Sequence, residues 1–328
     1  MTEQVAILGL GRIGASIGLA LSTHAGRYYR VGYDRKQEAG RHALKAGCID
    51  ELAAGPRDAV GNADVIVLAL PLDEIQETME AIAPALKDDV LVMDTAPGKK
   101  TVAAWAGEHL PGSVSYAGLV PVLNPDYLRG DVNGDHFAKG DLFENSMIGL
   151  VTPPGTQSEA IQTAAEFIEM LGSAPLFADL YEADGLMSAV HIAPQLVSAA
   201  FWDATVNQPG WRESRKLAGS AYADLTAAIA HPDAPGTLAQ LALSNKTDIL
   251  RALDQVIASL QGIRDEIEAE DLAALRGKLA DTSDGKKRWW KERQAADWLH
   301  GDSPRTERAS GRGVFRTLFG LGRRSNED

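Results

Sequence analysis

The sequence predicts an α/β protein, with an N-terminal doubly wound parallel sheet followed by a mostly α-helical domain. Short apolar runs alternate with helical patterns over the first half, a glycine-rich turn follows the first run, and strand signals become sparse after residue 152. We therefore expect three segments. Residues 1–152 bind a dinucleotide, residues 153–280 form a helical substrate and dimerisation domain, and residues 281–328 form a basic, Trp-containing, flexible tail.

The composition limits the classes of partner. The 328 residues suffice for two domains, and the net charge of −13 argues against nucleic acid, which requires basic patches. A small anionic substrate remains open, because cations inside a pocket decide its binding. The single cysteine, Cys48, excludes an intrachain disulfide and a thiolate metal cluster, and we predict no metal site. With no signal peptide and no apolar run of membrane-spanning length, the expected compartment is the cytoplasm.

The first strand and its turn carry the strongest signal. The apolar run Val5–Leu8 leads directly into Gly9, Gly11 and Gly14, and residues 15–22 then have a helical pattern. In a Rossmann-type domain the first glycine permits a tight turn, the second admits the pyrophosphate, and the third allows close helix packing. The adjacent residues Arg12 and Ile13 are counted with this predicted cofactor-binding turn.

The second strand ends on an acidic residue. Residues 29–33 form this strand, and Asp34 follows Gly14 by twenty residues. A carboxylate there accepts hydrogen bonds from the ribose hydroxyls and repels a 2′-phosphate, which predicts NAD as the cofactor. The neighbouring cations Arg35 and Arg12 leave NADP open.

Two further strands place more residues beside the cofactor. We predict strands at 63–70 and 89–93, separated by a helix at 73–86. Because ligands lie at the carboxyl ends of parallel strands, the residues that end these strands are assigned to the cofactor site. These residues are Leu70, Pro71, Asp94 and Thr95. For Pro71 and Asp94, simple strand termination is the alternative interpretation.

The second half has mainly helical patterns. Residues 150–154 are interpreted as the last strand and a linker, and a helix at 158–171 ends at Gly172. An apolar helical stretch at 182–206 is interrupted at Pro194, and residues 238–270 continue the helical pattern. The stretch at 182–206 is too apolar for a solvated surface, so we expect a homodimer formed through this domain.

The C-terminal segment has a different composition. Residues 281–328 contain 11 Lys and Arg against 8 Asp and Glu, together with Trp289, Trp290 and Trp298. The apolar residues of 313–322 predict either an amphipathic helix that contacts a membrane surface or a partner, or a tail that packs loosely on its own domain.

The order of motifs over residues 4–270 resembles the prephenate and arogenate dehydrogenases of tyrosine biosynthesis. The most particular of them are DLFE with LVTP, and the spacing of Asp184, His191, Pro194 and Gln195; the others are VAILGLGRIGASIGLAL, VGYDR, LKAGCID and ADVIVLALPLDEI. The resemblance implies transfer of a hydride from the ring carbon bearing the 4-hydroxyl to NAD(P), with loss of carbon dioxide. It also implies a histidine that accepts the hydroxyl proton and arginines that bind the substrate carboxylate.

The sequence departs from this family at functional positions. Val120 stands where the family has the histidine, and Pro97 stands where it has a serine. Ala223 and Ala227 occupy the positions of two arginines. His191, which falls on a second, substrate-side histidine of the family, is therefore the remaining catalytic candidate, and a packed core histidine is the alternative.

Other residues near the loop after Asp94 have side chains that are suited to acid/base chemistry or to binding an anion. Lys99 and Lys100 are interpreted as solvated loop lysines, with binding of an anionic substrate as the alternative, and Tyr116 and Asp126 are further acid/base candidates. Three functions stay open. They are a prephenate or arogenate dehydrogenase, a dehydrogenase or reductase of the same fold with another substrate, and a non-catalytic dinucleotide-binding dimer that serves as a sensor or scaffold.

Overall fold

The computed structural model describes residues 2–24, 26–128, 138–230 and 235–296. Its centre is one eight-stranded sheet of order β3-β2-β1-β4-β5-β6-β7-β8. The strands are β1 (Glu3–Leu8), β2 (Tyr28–Tyr33), β3 (Glu51–Leu52), β4 (Val65–Leu68), β5 (Leu91–Asp94), β6 (Ser115–Pro121), β7 (Met147–Val151) and β8 (Ala174–Ala178). The strand order reverses beside β1, which places a ligand crevice at the carboxyl ends of β1 and β4.

Helices cover both faces of this sheet. They are α1 (Arg12–Ser22), α2 (Gln37–Lys45), α3 (Pro56–Val60), α4 (Leu72–Ile82), α5 (Lys99–His109) and α6 (Ser158–Met170). One buried apolar cluster joins α1 and α6 to the sheet, and a second joins α4 and α5 to the other face. The strands are buried on both faces, as their continuous apolar runs predict.

The sheet differs from the prediction in two respects. β7 pairs with β6 in antiparallel orientation, so the sheet is parallel except at this step. β7 is also not the last strand, because β8 adds to it in parallel after α6. With α6 and β8 the alternation of helix and strand continues. The side chains of β8 are exposed or half-buried, so β8 is not recognised as a strand from a buried apolar run. A domain division at residue 152 therefore cuts through this sheet.

The remainder of the described chain is helical. Its helices are α7 (Leu180–Met187), α8 (Ala193–Val206), α9 (Trp211–Ser214), α10 (Ser220–Thr226), α11 (Pro235–Ser244), α12 (Lys246–Glu268) and α13 (Leu272–Ala295). None of the helices in the described ranges is long and apolar enough to cross a membrane.

The helical stretch at 182–206 is interrupted close to Pro194, where a π-helical turn (Ser188–Ile192) joins α7 to α8. Pro194 itself lies in the first turn of α8, a position at which proline is tolerated. The pattern at 238–270 is likewise two helices, separated at Asn245.

The predicted tail begins inside α13, so residues 281–295 are helical and not an extended linker. Arg293 anchors the end of α13 to the sheet domain, because its guanidinium is buried and donates to the carbonyl oxygens of Leu123 and Asn145. The rings of Trp289 and Trp290 lie 5.7 Å apart. Trp298 and the apolar residues of 313–322 fall outside the described residues.

Candidate active site

The glycine turn after β1 has a geometry in which each glycine is required for a different reason. Gly9 has a φ of +92°, and a Cβ built on it would lie 2.3 Å from the carbonyl oxygen of Ala69. A Cβ on Gly14 would lie 2.0 Å from the Gly9 carbonyl oxygen, whereas a Cβ on Gly11 meets no heavy atom within 4 Å. A side chain therefore has no room at Gly9 or Gly14 but has room at Gly11, as a turn that binds a dinucleotide requires. We call the turn formed by Gly9, Gly11 and Gly14 the glycine cradle.

Arg12 adds a polar atom that suits an anion. It is the first residue of α1, whose N-terminus has no side-chain cap, and its Nε is buried without a hydrogen-bond partner. An unsatisfied buried donor beside uncapped amide groups is costly unless a ligand accepts from it. The residues present therefore fit a pyrophosphate at this helix terminus.

Asp34 lies at the end of β2, where it also holds the glycine turn. Its Oδ2 accepts from the Leu10 N–H at 2.8 Å, and its Oδ1 accepts from the Lys36 N–H at 2.7 Å. The side chain lines a cavity together with Gly9 and Leu70. Each carboxylate oxygen keeps a further lone pair for a ribose hydroxyl.

Arg35 lines the same cavity, and its largely exposed guanidinium pairs with the Glu74 carboxylate. Asp34 and Glu77 also line this cavity. Three carboxylates therefore face it, and Arg35 is paired with one of them.

The remaining residues assigned to the glycine turn and to the segment after β4 are less polar. Ile13 is half-buried and packs on the apolar cluster beneath α1. Leu70 contacts the turn, since a Cβ on Gly9 would lie 2.9 Å from its Cδ2. Pro71 is the N-cap residue of α4. Pro71 therefore both ends the strand segment and begins the next helix.

Asp94, at the end of β5, is held in a buried network. The side chain is fully buried, with Oδ1 accepting from the Lys99 ammonium at 2.7 Å and from the Ala96 N–H at 2.9 Å. Oδ2 accepts from the Tyr116 hydroxyl at 2.6 Å. Because no part of the carboxylate is exposed, its role is to hold the loop between β5 and α5, and the loop surface is left to Thr95.

Lys99 is not the solvated loop lysine that the sequence suggests. It is the first residue of α5 and is fully buried, and burial lowers the pKa of its ammonium while the Asp94 carboxylate opposes this shift. Lys100 is partly exposed and lies with its Nζ 3.8 Å from Asp184 Oδ2. Neither lysine is a solvated loop residue, because both lie in the first turn of α5.

The two other acid/base candidates are poorly placed for proton transfer. Burial raises the pKa of the Tyr116 phenol well above its usual value, and its proton is already donated to Asp94. Asp126 is exposed in a short 3₁₀ turn whose N-cap is Asn124.

The departures from the family pattern lie on separate elements. Val120 is half-buried on β6, on the same face as Tyr116 and Gly118. Pro97 is half-buried in the loop between β5 and α5, as is Thr95. Ala223 and Ala227 are exposed, the first in α10 and the second in the 3₁₀ turn after it.

His191 lies in the π-turn between α7 and α8. It is half-buried, and its carbonyl oxygen accepts from Gln195 Nε2 at 2.9 Å. The next residue, Ile192, belongs to the large buried cluster that also includes Ala96 of the β5–α5 loop. Turns of the π type recur at functional sites.

Sequence reasoning missed the network of Asp94, Lys99 and Tyr116, and it gave Asp184 no role. The spacing of Asp94 and Lys99 is a signal only if α5 is known to begin at Lys99, and the Gly98 that precedes it marks that start. No group of three or more candidate metal ligands occurs in the part of the chain that the structure describes.

The glycine turn, the sheet with its reversal of strand order beside β1, and the helical domain define a dinucleotide-binding protein of the Rossmann class with a second, helical domain. Residues 17–175 match the family model of the prephenate dehydrogenase nucleotide-binding domain, and residues 181–281 match that of the prephenate dehydrogenase dimerization domain. The chain belongs to the prephenate dehydrogenase family.

Individual relatives agree with this assignment. The chain is 27% identical to the prephenate dehydrogenase of Bacillus subtilis, over 83% of this chain and 72% of that protein. It is 26% identical to the cyclohexadienyl dehydrogenase of Zymomonas mobilis, over 82% and 90% of the two chains.

Solved structures share the fold at lower identity. The Aquifex aeolicus prephenate dehydrogenase in complex with hydroxyphenyl propionate and NAD⁺ matches with a TM-score of 0.74 and 19% identity, covering 88% of this chain and 98% of that one. The Synechocystis arogenate dehydrogenase matches with a TM-score of 0.69 and 22% identity, covering 87% and 99%.

Proposed function

We propose that this protein is an NAD-dependent dehydrogenase that oxidises a cyclohexadiene acid of the prephenate or arogenate class. The observation that carries the proposal is the cradle of Gly9, Gly11 and Gly14, closed at two positions and open at the third. NAD supplies the hydride acceptor when it is bound. Asp34, Glu74 and Glu77 favour it over NADP, because a 2′-phosphate among these carboxylates is repelled.

In this proposal His191 accepts the proton of the substrate hydroxyl. Val120 has no lone pair, and the phenol of Tyr116 is held by Asp94, so the β6 side of the cleft offers no acceptor from these two residues. His191 is half-buried in the π-turn of the helical domain, and a neutral imidazole accepts a proton. In this proposal the Thr95 hydroxyl on the β5–α5 loop orients the ligand.

The proposal is tested with the full chain. We expect calorimetric titration to show tighter binding of NAD than of NADP, and the reduced-nicotinamide absorbance to rise when prephenate or arogenate is added. A His191→Asn variant should keep the affinity for NAD and lose about 10²-fold or more in kcat, the usual contribution of a general base. Binding of NAD with no reduction by either acid would refute the proposed substrates.

A second candidate is a dehydrogenase of this family with a different substrate. The exposed alanines at 223 and 227 favour it, because the family binds its substrate carboxylate with arginines at these positions. A substrate without that carboxylate would not require them. Reduction of NAD by other cyclic alcohols, with no reduction by prephenate or arogenate, would support this candidate. A protein that binds NAD and reduces it with none of these compounds would be the non-catalytic sensor or scaffold.

We also propose a homodimer formed through the helical domain. Apolar side chains recur on α12 at spacings of three, four and three residues from 250 to 260, the pattern by which one helix packs on another, and once more seven residues later. These residues are Leu250, Leu253, Ile257, Leu260 and Ile267, and all but Leu253 are exposed. The stripe lies within the match to the dimerization domain, and a second copy of the chain is its proposed occupant.

Charged substitutions in this stripe should dissociate the dimer. Ile257→Glu together with Leu260→Glu places two carboxylates in the proposed contact, so light scattering should give a mass of 35.0 kDa in place of twice that value. The matched control is Gln255→Glu, which adds a charge on the same helix and should remain dimeric. A double variant that keeps the dimer would place the interface elsewhere.

A further inference from the structure

The start of α5 is capped by a residue from the helical domain. Gly98, the N-cap residue, has a φ of +95° and provides no side chain. The carboxylate of Asp184, in α7, takes its place. Its Oδ1 accepts from the Lys99 N–H at 2.6 Å, and its Oδ2 accepts from the Lys100 N–H at 3.3 Å. One carboxylate thus satisfies two amide groups that the helix itself leaves unpaired.

Asp184 is an unusual group to bury for packing alone. The residue is 1% exposed, and burial raises the pKa of its carboxyl while the two N–H groups and the Lys100 ammonium oppose this shift. A buried carboxylate is tolerated only when such donors are held in place. Both the helix terminus and the carboxylate therefore depend on one relative position of the two domains.

The contact between Asp184 and Lys99 connects the helical domain to the loop between β5 and α5. Lys99, whose N–H is held by Asp184, also pairs through its ammonium with Asp94, and Asp94 accepts from Tyr116. The side chain of Lys99 passes over Gly118, where a Cβ would lie 2.5 Å from its Cδ. Asp184 thus holds the Lys99 end of the segment from Asp94 to Lys99, and the Lys99 ammonium holds its Asp94 end.

Asp184 is also connected to the π-turn that contains His191. The carbonyl oxygen of Asp184 accepts from the Ser188 hydroxyl at 2.7 Å, and Ser188 is the first residue of the turn that contains His191. His191 follows Asp184 by seven residues on a continuous helical path. The position of Asp184 is therefore transmitted to His191 through less than two turns of helix.

We propose that Asp184 is a positioning residue, which by capping α5 sets the distance between His191 and the loop that follows β5. This inference rests on the proposed function of His191. The carboxylate touches neither substrate nor cofactor, so its effect on turnover passes through His191. Loss of the cap should alter the placement of His191 while the glycine cradle, on the far side of β4, keeps its affinity for NAD.

A double-mutant cycle tests the coupling. Asp184→Asn retains one acceptor and should fold; we expect about a tenfold loss in kcat with the dissociation constant of NAD changed less than twofold. Asp184→Glu, which keeps the charge but moves it by one methylene, gives a second variant. The variant with both Asp184→Asn and His191→Asn should be no slower than His191→Asn alone, because residues that act as a unit are non-additive. Additive losses would overturn the proposal.

A second measurement does not require turnover. Diethyl pyrocarbonate modifies accessible neutral imidazoles, and mass spectrometry of the digested protein gives the rate at His191. We expect Asp184→Asn to change this rate at least threefold, with the rate at the distant His24 unaltered. The control is Asp179→Asn, the same substitution at an exposed carboxylate that caps α7 itself. If the wild-type protein reduces no NAD, the proposed function fails, while equal modification rates in both variants would separately overturn the positioning role.

Discussion

Replacing Gly11 with alanine should abolish tight binding of NAD without lowering the stability of the protein. The backbone of Gly11 is extended, with a φ of −72°, so alanine adopts it without strain. The added Cβ meets no protein atom within 4 Å and instead enters the space in which we place the pyrophosphate. We expect the affinity to fall about 100-fold, which corresponds to about 2.7 kcal/mol. Calorimetric titration measures the affinity, and thermal unfolding without cofactor measures the stability.

Gly14→Ala should behave differently, although it lies three residues away. Its Cβ would lie 2.0 Å from the Gly9 carbonyl oxygen, so the backbone of the turn must shift. Overpacking of this kind costs about 1–3 kcal/mol, and the melting temperature should fall by several degrees. The control is Gly107→Ala, on the exposed side of α5, where the added Cβ meets no heavy atom within 4 Å. This variant should lower neither the affinity for NAD nor the melting temperature. Equal stability losses at Gly11 and Gly14 would contradict the assignment of the open position.

The sheet domain was predictable because its signals are local. The glycine spacing, the apolar runs and the acid at the end of β2 each depend on a few neighbouring residues, and the structure places them as a Rossmann-type crevice requires. β8 was missed because its edge position exposes side chains that an apolar-run search expects to be buried. The boundaries of β5 shifted because Asp89 adopts a positive φ, a turn conformation that the residue type alone does not reveal.

The candidate site was harder to predict because its contacts join distant segments. From the sequence, Lys99 is interpreted as a solvated lysine. In the fold its ammonium donates to Asp94, which also accepts from the Tyr116 hydroxyl. Asp184 lies 85 residues from its partner Lys99, and no periodicity in the sequence connects them. The substitution at Val120 was visible in the sequence, but its consequence depends on whether the neighbouring strand has room for another side chain.

Replacing Val120 with histidine tests that consequence and should increase turnover of prephenate or arogenate. The side chain of residue 120 shares a face of β6 with Tyr116 and Gly118, at the carboxyl end of the sheet. Gly149 is its partner on β7, and a Cβ there would lie only 3.0 Å from the Cβ of Val120, so the absence of a side chain at 149 leaves room for an imidazole. A positioned general base contributes about 10²–10⁴-fold, and we expect at least a tenfold gain in kcat without optimised support.

The pH dependence separates a new base from a change of shape. An imidazole accepts a proton only when neutral, so the added activity of Val120→His should be lost as the pH falls below about 6.5, the ordinary pKa of histidine. Val120→Asn introduces a polar side chain of similar size that cannot act as a base, and it should show neither the gain nor the pH limb. If Val120→His is no faster than Val120→Asn while the wild-type protein turns over, an imidazole at position 120 does not reach the substrate hydroxyl. If the gain appears only with histidine, an imidazole on β6 removes the proton faster than His191 does in the wild-type protein.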